Sequence, residues 1–151
     1  MHTAIVALLT MILPLACAAA AWWHGMPAAD ALGRWFAFWA VGARLGSAGL
    51  SQVLHPRFTS ETIFGVTDPR ARPMVRELGF GNLALGALGL GSLAFASWVV
   101  PAAIGGAVFY TLAGAAHLNA RERSTSRSLA MVSDLVVAGT LAVVLVAMAA
   151  D

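Results

Sequence analysis

Residues 74–97, MVRELGFGNLALGALGLGSLAFAS, decide how the rest of this chain is read. The stretch is hydrophobic over a length that can cross a bilayer, for which about 20 residues are needed. Arg76, Glu77 and Asn82 stand near its start, and its far end holds only Gly, Leu, Ala, Ser and Phe before Trp98. Lipid does not solvate ionisable groups, so in a span they face a bundle interior or a watery cavity. Glycines at this density let neighbouring helices approach closely. The stretch predicts a helix with polar groups at one end and a packing surface over the rest.

The whole chain has the same character. It is 60% hydrophobic and 11% charged, with mean hydropathy +0.80. That is more apolar surface than a soluble domain of 151 residues needs, so the composition predicts a polytopic membrane protein forming one helical domain over 1–151. All nine basic residues are Arg, and a net charge of +2 is too small to point to nucleic acid. Cys17 is alone, with no disulfide partner in the chain and no second thiol for a metal. It reads as a small packed residue.

Upstream, residues 3–23, TAIVALLTMILPLACAAAAWW, form the first apolar run. A secretory signal with a small-residue site at Ala16-Cys17-Ala18 is the competing reading. No Lys or Arg precedes the run, and it is long for a signal core, which favours a span. Pro14 should kink this helix or end its first half. Residues 24–33 read as a loop, with His24 at the surface. Residues 34–54, RWFAFWAVGARLGSAGLSQVL, carry Arg44 in their middle. On a helix, Arg44, Ser47, Ala48, Ser51, Gln52 and His55 fall on one side. Aromatic and aliphatic residues cover much of the remainder. This predicts a span with one polar stripe facing protein; an interfacial helix is the alternative.

Residues 55–73 form the longest loop. A short helix over 58–65 is predicted on the membrane surface, capped by Thr59 or Ser60 and ended by Gly65. Asp68-Pro69 reads as a turn, and Pro73 suits the first turn of the next helix. Beyond the central stretch, 99–119 is a fourth span, on which Gly106, Tyr110, Ala113 and His117 share a face. Residues 121–128, RERSTSRS, read as a solvated turn, and 129–149 as a fifth span with Asp134 near its start. The fold predicted is an all-α integral membrane bundle with spans over 3–23, 34–54, 74–97, 99–119 and 129–149. The number is four if 34–54 is interfacial.

Charge sets the orientation. With five spans, the loops 55–76 and 120–128 lie on one side and hold Arg57, Arg70, Arg72, Arg76, Arg121, Arg123 and Arg127, against Arg34 alone on the other. The positive-inside rule makes the Arg-rich side cytoplasmic, with the N-terminus in and the C-terminus out. Trp22, Trp23, Trp35 and Trp98 then form an outer aromatic belt. The same topology collects polar residues from distant parts of the chain at the inner side. These are Arg44, Gln52, Glu77, Asn82, Tyr110, His117 and Asp134, with His55 and Asn119 near them. At 1.5 Å per residue, Glu77 is about 5 Å and Asn82 about 12 Å past Met74, and Asp134 about 8 Å past Leu129. Arg44, about 16 Å from His55, can snorkel toward that level.

An unpaired Arg at mid-membrane costs about 3 kcal/mol or more. An ion pair of Arg44 with Glu77 or Asp134 is the expected solution, most simply a clasp that fixes helix register. Glu77 can also be interfacial, His117 and Asn119 can close a helix, and Asp134 can cap one. No ligand pair has the spacing of a known metal motif, and there is no nucleotide loop, nucleophile elbow or CxxC. No catalytic residue, cofactor or metal site is predicted.

RWFAFWAVGARLGSAGLSQVLHPRFTSETIFGV followed by VRELGFGNLALGALGL resembles a group of small bacterial membrane proteins classed only as a domain of unknown function. The resemblance runs from about Arg34 to Leu93, and more weakly through 114–119 and the Asp134 segment. It implies a compact helical protein of the bacterial inner membrane and supplies no catalytic residues. In size and plan the chain is also similar to DoxX-like membrane proteins. Three function classes follow in order: an accessory or structural membrane protein; a small-solute or proton pathway through Arg44, Glu77, His117 and Asp134; and an enzyme or quinone-linked subunit. The partners expected are the lipid bilayer, a small polar ligand or proton, and another membrane protein or a copy of this chain. An open polar cavity at the inner side would favour the second class over the first.

Overall fold

Pro14 sets the character of the first helix. It has no N–H to give the carbonyl of Thr10, and its ring crowds that turn. The helix does not end there. It runs over 2–23 (α1), and the turn ahead of the proline, Leu8–Ile12, widens into π-helix, with Leu13 N donating to Leu8 O. The Thr10 hydroxyl donates to Val6 O at 2.7 Å. Gly25, at φ +92°, closes the helix in the left-handed conformation that glycine adopts without strain. The computed structural model describes residues 2–118 and 125–150, and every regular element among them is helical.

The second helix (α2) is continuous over 28–54 and starts at Ala28, so the predicted 24–33 loop shortens to 24–27. Pro27 ahead of it and Asp30 in its first turn are the local causes. Its middle, Ala37–Leu45, is again π-wound. A short helix over 56–63 (α3) follows, beginning at Pro56. Thr59 and Ser60 are buried inside it rather than capping it, and the Ser60 hydroxyl donates to Arg57 O at 3.1 Å. Gly65, at φ +69°, ends it as predicted. Asp68 makes the predicted turn, its Oδ1 accepting from Arg70 N at 2.9 Å.

The central helix (α4) spans Ala71–Gly91, with Pro73 in its first turn. It stops short of the predicted 97 because the chain turns at Ser92, whose hydroxyl donates to Gly89 O at 2.7 Å, and Trp98 folds onto Gly91. Arg34 reaches across to this turn and donates to Leu93 O at 3.2 Å. The fifth helix (α5) runs from a 3₁₀ turn at Ala96–Trp98 through Val99–Leu118. The last (α6) is Thr125–Ala150, so 125–128 is helix rather than turn. Asn119, Arg121 and Arg123 lie outside the described residues.

The five long helices alternate in direction. Gly33 of α2 lies beside Val99 and Val144, and Gly106 of α5 lies beside Val41 and Leu141. Gly114 of α5 lies beside Leu135 and Asp134. The core is formed by Phe36, Val41 and Leu45 of α2, Tyr110 of α5, and Val137 and Leu141 of α6, all buried. Against the other side of α2, α4 makes a backbone-to-backbone seam. A Cβ built on Gly86 would sit 2.6 Å from the Cα of Gly46, and one on Gly49 would sit 2.8 Å from the carbonyl oxygen of Gly79. Side chains would hold these backbones apart, so glycine at these positions is a packing requirement.

Outward faces are apolar. Ile104, Val108 and Leu112 form an exposed i, i+4 row on α5, and Val143 and Val146 an exposed i, i+3 pair on α6. Three helices are long and apolar enough to cross a membrane: Ala4–Trp23, Ala96–Leu118 and Ser128–Ala150. By the same measure α2 and α4, which carry Arg34, Arg44, Arg72, Arg76 and Glu77, are less apolar.

Candidate functional site

The glycine seam draws two short amide side chains together. Asn82 of α4 donates to Gln52 Oε1 of α2 at 2.8 Å, and both are buried, at 4% and 8% exposure. Neither amide could reach the other if Gly49 and Gly79 carried side chains, because a Cβ on Gly79 would meet the Cβ of Gln52 at 2.9 Å. This bond fixes which way the Gln52 amide points. Its oxygen is taken by Asn82, which leaves its NH2 as a donor.

Tyr110 and the His117–Asp134 pair occupy the other side of α2. Tyr110 is fully buried and its hydroxyl donates to Ala40 O. Ala40 lies in the π-wound part of α2, where a displaced carbonyl can accept from outside the helix. His117 Nε2 lies 3.7 Å from Asp134 Oδ2, across a gap that Gly114 keeps narrow. Asp134 sits more than two turns inside α6, so it does not cap that helix.

The expected clasp does not form. Among the described residues the ion pairs are Arg57–Glu61, Arg72–Glu61 and His117–Asp134, and none joins Arg44 to an acid. Glu77 is exposed on α4 and stays apart from the other candidates. Arg44 is close enough to Tyr110 and Asp134 for its charge to act on both, but Asp134 is held toward His117. The reason lies in α2. The π-wound turns through Leu45 re-phase the helix, and Arg44 emerges toward α1 and α3.

There it lines an open cleft of about 330 Å³. One wall is the predicted polar stripe of α2: Arg44, Ser47, Ala48, Ser51 and Gln52. The other walls are Ile5 and Val6 of α1, and Phe58, Thr59, Ile63 and Phe64 in and after α3. His55, expected on the stripe, is exposed outside it. The α3 lip is pinned by charge. Glu61 accepts from Arg57 at 3.1 Å within the helix and from Arg72 of α4 at 3.1 Å. Arg57, with Arg72 behind it, holds the Glu61 carboxyl below the usual carboxylate range, so the pin is charged at neutral pH. The sequence reading places a short surface helix over 58–65 within the 55–73 loop but no ion pair on it; the Arg57–Glu61 i, i+4 spacing is the signal that announces one.

The seven predicted residues therefore separate into parts. Gln52 and Asn82 pair in the seam, His117 and Asp134 pair between α5 and α6, Tyr110 ties α5 to α2, Arg44 faces the cleft with Gln52, and Glu77 stands outside. Among the described residues no three His, Cys, Asp or Glu side chains are placed to hold a metal ion. No protein family, curated protein or solved structure matches the chain.

Proposed function

We propose that this chain is a multi-pass protein of the bacterial inner membrane that binds a small anionic ligand in the Arg44 cleft from the cytoplasmic side. The observation that carries the reading is Arg44 itself. It is a half-buried cation with no acid in ion-pair range among the described residues, on the wall of a cleft that opens outward. A guanidinium in such a place needs an anion or water, and a cleft of this size admits more than water. The Gln52–Asn82 hydrogen bond and the glycine seam carry the structural role expected of the whole cluster. That leaves Arg44 for binding and raises the ligand class above the purely accessory one. Among the described residues lining the cleft there is no nucleophile beside a base, so binding rather than catalysis is proposed.

The bilayer is supported by the exposed apolar rows on α5 and α6 and by the three strongly apolar helices. Five spans are supported by the five long helices alternating in direction, with α2 inside the bundle. In that arrangement the cleft, at the start of α1 and the end of α2, faces the cytoplasm.

Cysteine accessibility tests this. In a Cys17→Ser background, Ser51→Cys should react with a membrane-impermeant maleimide in inverted vesicles and stay unlabelled in right-side-out vesicles. Ala48→Cys serves as a second probe of the same wall. Labelling from the outer side, or none from either side at both positions, would overturn the reading.

A further inference from the structure

We propose that the ligand is an amphiphile with a single carboxylate, a free medium-chain fatty acid, with its head on Arg44 and its chain along the α3 lip. The proposal rests on the reading of the cleft as a binding site and names what that site selects. Three features of the walls point to it.

The first is charge. Among the described residues lining the cleft, Arg44 is the one ionised side chain, and none is Asp or Glu. That suits a monoanion better than a phosphate dianion. The guanidinium fork matches a carboxylate through two parallel bonds.

The second is the donor beside it. Asn82 occupies the Gln52 oxygen and turns the Gln52 NH2 into the group left to bind. Gln52 stands two turns after Arg44 on the same wall, with Ser51 and Thr59 adding hydroxyls. These are uncharged donors along the wall beyond Arg44, and they place no negative charge against an anion entering there.

The third is the opposite wall. Ile5, Val6, Phe58, Ile63 and Phe64 are apolar, and Phe58 and Phe64 are left 51% and 50% exposed at the mouth. An inorganic anion would use none of that surface. An acyl chain would cover it. At roughly 30 Å³ per non-hydrogen group, the cleft holds on the order of eleven such groups, two of them carboxylate oxygens, which matches chains of about eight to ten carbons.

The experiment is equilibrium binding of radiolabelled decanoate to the full chain in phosphatidylcholine nanodiscs, with empty discs subtracted. Binding should be saturable and displaced by dodecanoate. Decanol and decyltrimethylammonium, which share the tail without the anion, should not displace it. Arg44→Gln should weaken binding at least tenfold, Arg44→Lys less, and the exposed Glu77→Gln should leave it unchanged. If Arg44→Gln does not fold, the decanol comparison on the unaltered protein decides the same point. No saturable binding, or displacement by decanol as effective as by dodecanoate, would overturn the proposal. So would loss of decanoate binding when phosphatidylglycerol is added to the discs, which would assign the cleft to a phospholipid head. Ser51→Cys labelled from the inner side without decanoate binding would end the amphiphile and keep the cleft. Absence of labelling would end both.

Discussion

At the scale of single residues, the magnitudes separate two kinds of polar group. Asn82 donates to the Gln52 oxygen, and an interhelical bond of this kind is worth about 0.6 kcal/mol on average and up to about 2. Breaking it from one side costs more than the bond, because the remaining amide is left buried without a partner, at about 1–3 kcal/mol. Asn82→Leu and Gln52→Leu should therefore each lower resistance to denaturation by about 1–2 kcal/mol. The double variant should lose less than the sum, since it orphans no amide. Additive losses in SDS unfolding would show that the pair does not act as a unit. Arg44 is the other kind. Its pairing with an acid is the expectation from sequence, because an unpaired Arg at mid-membrane costs about 3 kcal/mol or more. The structure meets that expectation with an opening rather than an acid.

Between elements, the α2–α4 seam is the most demanding contact. Gly86 has no space for a methyl, because the Gly46 backbone would be 2.6 Å from it, whereas nothing lies within 4 Å of a Cβ at Gly81 one turn away. Gly81→Ala removes flexibility from the unfolded chain at no steric cost and should raise stability by about 0.4–1 kcal/mol. Gly86→Ala should lower the Tm of the purified protein and displace α4 from α2. Equal Tm values for the two variants would refute the seam. Half of this contact was legible. The Gly spacing in LGFGNLALGALGLG announces a close-packing face, because small residues at helical intervals have few other uses in an apolar segment. The partner strip, Gly42, Gly46 and Gly49, was obscured by the aromatic residues and Arg44 around it. The π-wound turns left no signal in a search for 3.6-residue periodicity, and they are what turned Arg44 away from the acids. The Arg44-to-Gln52 stripe survived because α2 returns to α-helix at Gly46. Helix ends were the least legible: α2 starts at Ala28 behind Pro27, a local signal, whereas α4 stops at Gly91 where the chain turns at Ser92 and Arg34 of α2 reaches across to Leu93.

For the whole molecule, the alternation of the five long helices has a charge consequence. The start of α1, the end of α2, the start of α4, the end of α5 and the start of α6 share one end of the bundle. The sequence gathers Arg57, Arg70, Arg72, Arg76, Arg121, Arg123 and Arg127 at that end, against Arg34 at the other. Arg on short loops resists translocation, so that end should remain cytoplasmic. The alternative, α2 lying flat at the interface, meets a packing objection. Phe36, Ala37, Ala40 and Val41 are fully buried, and α2 contacts α4 on one side and α5 and α6 on the other. A helix enclosed on both sides runs with the bundle. The prediction is that green fluorescent protein fused at residue 122 fluoresces and alkaline phosphatase fused there is inactive. The reverse should hold for fusions at Asp151, and a reporter on Met1 should read cytoplasmic. Active phosphatase at 122 would invert the molecule and put the Arg44 cleft outside. A periplasmic Met1 with a cytoplasmic 122 would reduce the spans to four and return α2 to the interface.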